Sequence, residues 1–113
     1  MGLMTVDNNE LLISYIDYLD NRSLLSNNSK YAYSGDARRY IDFLGDDPAT
    51  GATKETILKL LETMVRQGRS NSSIQRQIVG VRSFYKFLES EGLIDYNPVK
   101  DFTTAAINEL VER

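Results

Sequence analysis

Residues 70–98 read SNSSIQRQIVGVRSFYKFLESEGLIDYNP, a long amphipathic segment followed by a clear stop. At about 100° per residue, its large apolar side chains fall in one stripe about 80° wide, which is typical of a helix buried on one side. We predict a helix over 71–91 that is ended by Gly92, and a break at Asn97-Pro98, because proline disfavours helical dihedrals in the preceding residue. The stripe consists of Ile74, Ile78, Val81, Tyr85 and Leu88.

The opposite side of this helix has small residues, two cations and no carboxylate. A solvated surface in a chain with a formal charge of −3 normally mixes both signs. Because this surface does not, we predict that it contacts a polyanion. It carries Ser72, Arg76, Val79, Ser83 and Lys86, with Gly80 beside them.

Two helices are predicted at the start of the chain. The first opens with a capping box, Asp7-x-x-Glu10, and ends near Asn21. The second covers about 28–44 and stops at Gly45. Their predicted inward residues are Leu11, Leu12, Tyr15, Ile16 and Leu19 in the first helix, and Tyr33, Ala37, Tyr40, Ile41 and Leu44 in the second.

A third helix and a short last one complete the pattern. The third starts with Thr53 as N-cap and ends at Gly68, and residues 103–112 favour a short fifth helix. Since no β-alternation occurs, the sequence predicts an all-α, compact four-helix bundle with a short fifth helix at its end. The predicted inward residues of the third helix are Ile57, Leu58, Leu61, Met64 and Val65.

Composition limits the function. The 113 residues suit one domain, and 42% hydrophobic content with seven Tyr and four Phe is enough for a packed core. The chain has no Cys and no His, which excludes disulfides, thiolate or His-ligated zinc and His-based catalytic triads. We therefore expect no catalytic site, no metal and no cofactor. No apolar run of transmembrane length occurs, so no membrane partner is expected.

Charge is unevenly distributed along the chain. Residues 1–20 contain four acids and no base, whereas residues 66–88 contain five bases and no acid. Such a field steers a polyanion to one side of a protein even when the total is acidic. The acidic total nevertheless counts against a dedicated nucleic-acid domain, which is usually basic.

Two stretches resemble the N-terminal core-binding, SAM-like domain of phage integrases and other tyrosine recombinases. The first is NSKYAYSGDARRYIDFL, with a polar cap, then Tyr33, Asp36 and a final Phe43-Leu44. The second is the 70–98 segment, whose end has the order Gly-x-Ile-x-x-Asn-Pro. The resemblance covers roughly residues 8–100.

The resemblance implies one half of a C-shaped clamp around duplex DNA, with the second and fourth helices crossing adjacent major-groove surfaces. Lys30 and Lys86 would then contact phosphates, Arg76 a base edge or a phosphate, and Ser72 and Ser73 a phosphate at a helix N-terminus. The implied DNA-facing residues are Ser29, Lys30, Tyr31, Ala32, Ser34, Gly35 and Arg38 in the second helix, and Ser72, Ser73, Arg76, Gln77 and Lys86 in the fourth.

The family's catalytic residues belong to a following domain. We therefore expect residues 1–7 to be disordered or introduced by cloning, 8–98 to form the core-binding domain, and 99–113 to be a linker or short helix toward a catalytic domain. The implied partners are double-stranded DNA, the catalytic domain of the same protein and other recombinase protomers. The implied location is the cytoplasm of a bacterium, with a bacterial, phage or mobile-element gene.

Other interpretations stay open. The chain could be a helical protein-interaction module, or a helix-turn-helix regulator that reads DNA with its third and fourth helices. Single residues have simpler explanations too. Arg76 and Lys86 could be ordinary solvated residues, Ser72 and Ser73 helix caps, Arg38-Arg39 partners of Asp42, and Phe84 and Phe87 packing partners of the C-terminal segment or a docking surface.

Overall fold

A computed structural model describes residues 7–112, and this range folds into five α-helices with no strand. The prediction of an all-α bundle with a short fifth helix is confirmed, and the bounds agree within two residues. The predictions for residues 1–6 lie outside the described residues. The helices are α1 Asn8–Asn21, α2 Asn27–Leu44, α3 Lys54–Arg66, α4 Asn71–Ser90 and α5 Thr104–Val111, with a 3₁₀ turn at Ala49–Gly51.

Polar side chains begin each helix. Asp7 is the N-cap of α1, as predicted, but its carboxylate accepts a hydrogen bond from the backbone of Asn9 and not from that of Glu10. Ser70 caps α4 by accepting from the backbone N–H of Ser73. The N-cap of α4 is therefore Ser70, which precedes Ser72 and Ser73, the two serines considered as caps from the sequence.

The predicted stripe of α4 is the centre of the core. All five of its members, from Ile74 to Leu88, are completely buried. The buried surface is wider than the stripe, however, because α1 and α2 both pack along α4. The additional buried residues recur at helical spacing on one side of the stripe and are Gln77, Gly80, Phe84 and Phe87.

Phe84 and Phe87 pack against α1, and their predicted packing on the C-terminal segment is wrong. The Phe84 ring lies 5.3 Å from the ring of Tyr15, and the Phe87 ring lies 5.0 Å from that of Tyr18. Because these rings are buried between helices, Phe84 and Phe87 do not form a docking surface.

Of the four tyrosines predicted to face the core, Tyr15, Tyr40 and Tyr85 are fully buried and Tyr33 is half-buried. The Tyr15 hydroxyl donates to Ser83 Oγ at 2.7 Å, and the Tyr85 hydroxyl donates to the carbonyl of Ala49 at 2.9 Å. The hydroxyls of Tyr40 and Tyr85 also share a hydrogen bond. These contacts satisfy each buried hydroxyl and fix the 3₁₀ turn against α4.

The buried side of α3 differs from the predicted one. Leu60 is buried, whereas Leu58 and Val65 are 37% and 44% exposed, so the prediction that these two face inward is wrong. The buried residues of α3 are Ile57, Leu60, Leu61 and Met64. The two exposed residues line an apolar groove of about 460 Å³ between α3 and α5.

The segment after the Pro98 break packs on the bundle. Asn97 is buried, and its side-chain oxygen accepts from the backbone N–H of Val99 at 3.0 Å. Val99, Phe102 and Ile107 are all at most 6% exposed and join the common core. Of the two predicted forms, linker or short helix, the structure has the helix.

Candidate nucleic-acid interface

The surface of α4 opposite the buried stripe is largely exposed, as predicted. Ser72, Arg76, Val79 and Lys86 are exposed, and Ser83 is half-buried beneath the hydroxyl of Tyr15. These residues recur within one arc of the helix, so a long ligand could contact them together. We call this arc the α4 face.

Gly80, at the edge of the α4 face, is buried because α2 crosses α4 there. A Cβ atom at Gly80 would lie 2.1 Å from Asp36 Oδ2, closer than any real contact. The missing side chain therefore makes room for a carboxylate from α2. The prediction of a carboxylate-free surface is wrong, since it considered one helix in isolation.

Asp36 forms ion pairs with two arginines. Its Oδ2 lies 2.6 Å from Arg76 Nη1 and its Oδ1 lies 2.8 Å from Arg39 Nη2. The Asp36 side chain is only 3% exposed, whereas the two arginine side chains are 43% and 59% exposed. Burial raises the pKa of Asp36, although both arginines lower it. Arg39 therefore pairs with Asp36, and the alternative that Arg39 pairs with Asp42 is wrong.

Gln77 belongs to the same crossing and is 2% exposed. Its amide nitrogen donates to the Asp36 carbonyl at 2.7 Å, and its amide oxygen accepts from Arg39 Nε at 3.0 Å. Both ends of the side chain are occupied by protein partners, so we remove Gln77 from the predicted DNA contacts. Its position could have been found from the sequence, because Gln77, Phe84 and Gly80 share one side of the helix.

The α2 candidates differ widely in accessibility. Tyr31 is 85% exposed and Arg38 is also exposed. The others are half-buried: Lys30 Nζ donates to the Asp20 carbonyl at 3.2 Å, and Ser34 Oγ donates to the Lys30 carbonyl at 2.8 Å. Tyr31 and Arg38 are therefore the α2 side chains most available to a ligand. The remaining half-buried candidates are Ser29, Ala32 and Gly35.

Arg69 lies just before α4 and was not among the predicted contact residues. Ser72 is exposed, but Ser73 Oγ accepts from Arg69 Nε at 3.1 Å and from Arg69 Nη2 at 2.9 Å. Because Ser70 is the cap, the alternative that Ser72 and Ser73 are caps is wrong. Arg69 holds a positive charge beside the N-terminus of α4, where anions are favoured.

Within residues 7–112, no helix has the length and apolar character needed to cross a bilayer. In that range, no group of three or more His, Cys, Asp or Glu side chains is placed to hold a metal ion.

Several known proteins are similar to this chain in amino-acid sequence. Tyrosine recombinase XerD of Halalkalibacterium halodurans is 36% identical over 98 residues, which are 83% of this chain and 32% of that protein. Tyrosine recombinase XerD of Chlorobaculum tepidum is 33% identical over 93 residues, with coverages of 80% and 30%. Tyrosine recombinase XerC of Alcanivorax borkumensis is 30% identical over 88 residues, with coverages of 78% and 29%. No solved structure matches significantly.

The chain spans about a third of the length of these relatives. A family profile described as phage integrase, N-terminal SAM-like domain, matches residues 12–92. The matched range extends from the first turns of α1 to the end of α4 and includes the α4 face and its crossing with α2. Since it covers most of the chain, this protein belongs to the N-terminal SAM-like domain family of phage integrases.

Proposed function

We propose that this protein is the DNA-binding arm of a site-specific tyrosine recombinase, and that it holds duplex DNA through α2 and the α4 face. Strand cleavage and rejoining would be carried by a catalytic domain of the same full-length protein, acting with other protomers on the DNA. In this proposal the present chain binds DNA and cleaves nothing.

The observation that carries the proposal is the α4 face itself, in a chain of the integrase family. It presents Arg76 and Lys86 to solvent on one arc of a single helix, and α2 presents Arg38 and Tyr31. Cations on such a surface neutralise phosphates and release counterions, which drives binding to duplex DNA. The proposed contact residues are Ser29, Lys30, Tyr31, Ser34, Arg38, Ser72, Ser73, Arg76 and Lys86.

Only a few cations take part, and the chain has a net charge of −3. We therefore expect weak binding by the isolated domain, with a Kd on the order of 10⁻⁴ to 10⁻⁶ M on generic duplex. Affinity in the full-length protein would come from both halves of the clamp, because linked binding modules act at a high effective concentration.

The test is fluorescence anisotropy with a labelled generic duplex at several salt concentrations. Replacing Arg38 and Lys86 by Ala should weaken binding and reduce the slope of log K against log salt by about 2, one for each lost phosphate contact. The control replaces Lys59 and Arg66 on α3, which are exposed, and changes the net charge equally. Equal weakening by both pairs would show that net charge, and not this surface, governs binding.

A further inference from the structure

We propose that Arg76 reads a guanine in the major groove, and that Asp36 and Tyr33 are the residues that position it. This inference rests on the proposed DNA-binding function and deepens it. It divides the cations of the surface into one that reads sequence and others that hold phosphates.

The guanidinium of Arg76 is held from two directions. Its Nη1 donates to Asp36 Oδ2 at 2.6 Å, and its central carbon lies 5.0 Å from the centre of the Tyr33 ring. An ion pair in the guanidinium plane together with an aromatic ring beside it restricts both the position and the tilt of the group. Because the side chain is ordered before any ligand arrives, binding loses little of its rotamer entropy.

One edge of the guanidinium remains for a ligand. The Nε and Nη2 atoms donate to no acceptor within residues 7–112, and 43% of the side chain is exposed. Two neighbouring N–H groups on one edge match the O6 and N7 acceptors that guanine presents in the major groove. The anchored edge and the open edge are different edges, so Asp36 does not have to release Arg76.

The local charge favours a base over a phosphate as the ligand of Arg76. Asp36 is shared with Arg39, so the three side chains together carry a single positive charge. Binding to a phosphate depends more on charge than binding to a neutral base edge does, so the neighbouring carboxylate weakens phosphate binding by Arg76 more. Arg38 and Lys86 form no ion pair within the described residues and are exposed, which suits phosphate contacts.

The carboxylate is built into the helix crossing. The Asp36 side chain is 3% exposed and occupies the space left by Gly80. The backbone carbonyl of Asp36 accepts a hydrogen bond from the Gln77 amide at 2.7 Å. A charged group buried to this degree needs partners, and here the two arginines provide them. The position of Arg76 is therefore determined by the packing of α2 on α4.

The experiment selects binding sites from a random duplex library with the present chain. The wild type should enrich a guanine at one position, and the matching duplex with another base there should bind about 5- to 150-fold more weakly. Arg76→Lys keeps the charge but lacks the planar fork that Asp36 and Tyr33 hold in place, so it should bind generic duplex within a few-fold of wild type and lose most of this preference. Asp36→Asn should likewise bind generic duplex within a few-fold of wild type and lose the guanine preference. The control, Arg38→Ala, should weaken all duplexes equally and keep the preference.

A modified base gives a second measurement that does not depend on Asp36→Asn being folded. Replacing the selected guanine by 7-deazaguanine removes the N7 acceptor, which should weaken wild-type binding and leave Arg76→Lys unchanged. Salt-dependent binding with no guanine preference, or an unchanged preference in Arg76→Lys, would overturn this inference and leave the DNA-binding proposal intact. Absence of duplex binding at low salt would overturn both.

Discussion

At the scale of single residues, two glycines inside helices have opposite surroundings. A Cβ at Gly80 would lie 2.1 Å from Asp36, whereas one at Gly35 would meet only the end of the Arg39 side chain, at 3.4 Å. Replacing either glycine by Ala improves helix propensity by about 1 kcal/mol. A difference in stability between the two variants therefore measures the steric clash at Gly80.

We expect Gly80→Ala to lower the free energy of unfolding by about 1–3 kcal/mol, because the crossing of α2 and α4 must shift. We expect Gly35→Ala to raise it by up to about 1 kcal/mol. Urea denaturation measures both. A stabilised Gly80→Ala variant would contradict the close approach of Asp36 to α4.

Asp36 makes stability depend on pH. Burial raises its pKa above the ordinary value of 3.8, against the lowering by Arg76 and Arg39. The folded state therefore binds this proton more tightly than the unfolded chain does. The resulting stability is complete below pH 3.8 and is lost as the pH rises through the folded-state pKa.

This sign gives a prediction for Asp36→Asn, which cannot ionise. The free energy of unfolding of the wild type, minus that of the variant, should increase on acidification from neutral pH toward pH 3.8. Urea denaturation of both proteins at several pH values measures the difference. The other carboxylates titrate in both proteins, so their effects cancel. A difference that decreases on acidification would mean that the ion pairs outweigh the cost of burial.

At the scale of elements, α5 is attached to α4 by polar side chains. Gln75 Nε2 donates to the Thr104 carbonyl at 3.1 Å and to Asn108 Oδ1 at 3.0 Å, and Asn71 donates to the same Asn108 oxygen at 2.7 Å. Beneath these contacts, Ile107 is 1% exposed. Helix α5 is therefore part of the packed unit.

Truncation of Ile107 tests this attachment. We expect Ile107→Ala to lower the free energy of unfolding by about 2–5 kcal/mol, because a buried side chain leaves a cavity. Glu109→Ala, at an exposed position of the same helix, should stay within about 0.5 kcal/mol of wild type. Thermal or urea unfolding compares them. Similar small effects of both changes would show that α5 unfolds independently of the bundle.

At the scale of the whole molecule, three buried phenols tie α1, α2, α4 and the 3₁₀ turn together. Burial raises the pKa of Tyr15 to about 12, and it raises the pKa of Tyr40 and of Tyr85 further still. Because the unfolded value is 10.0, these groups stabilise the fold below pH 10 and lose that effect as the pH rises through their folded-state values.

We expect alkaline titration to show a cooperative step in which these phenols ionise as the bundle unfolds. Phenolate absorbance and far-ultraviolet circular dichroism should change together in that step. Tyr85→Phe removes the hydrogen bond to Ala49 and should lower the free energy of unfolding at neutral pH by about 1–3 kcal/mol, because a buried acceptor is left without its donor. Reversible ionisation of all seven tyrosines with unchanged dichroism would contradict the buried arrangement.

Charge is also organised at this scale. The acids of α1 and the bases of α4 lie on different helices of one small body, so a net-acidic protein can still present a cationic surface. Net charge alone therefore does not describe this surface. The arrangement of the exposed side chains matters more than their sum.

The amino-acid sequence alone determined the helices, their ends and the central stripe of α4. Periodicity, N-caps and glycine stops act within a few residues, so they can be recognised without knowing the fold. Helix periodicity also selected Ser72, Arg76 and Lys86 on α4, and the family resemblance added Arg38 on α2. The structure places all four at exposed positions.

Only the tertiary structure decided which sides of those helices are covered. Asp36 and Arg76 are 40 residues apart in sequence, and no local pattern places one against the other. The same is true of Phe87 on α1 and of exposed Leu58. Burial on a helix depends on its neighbours, and the neighbours are determined by how all five helices pack together.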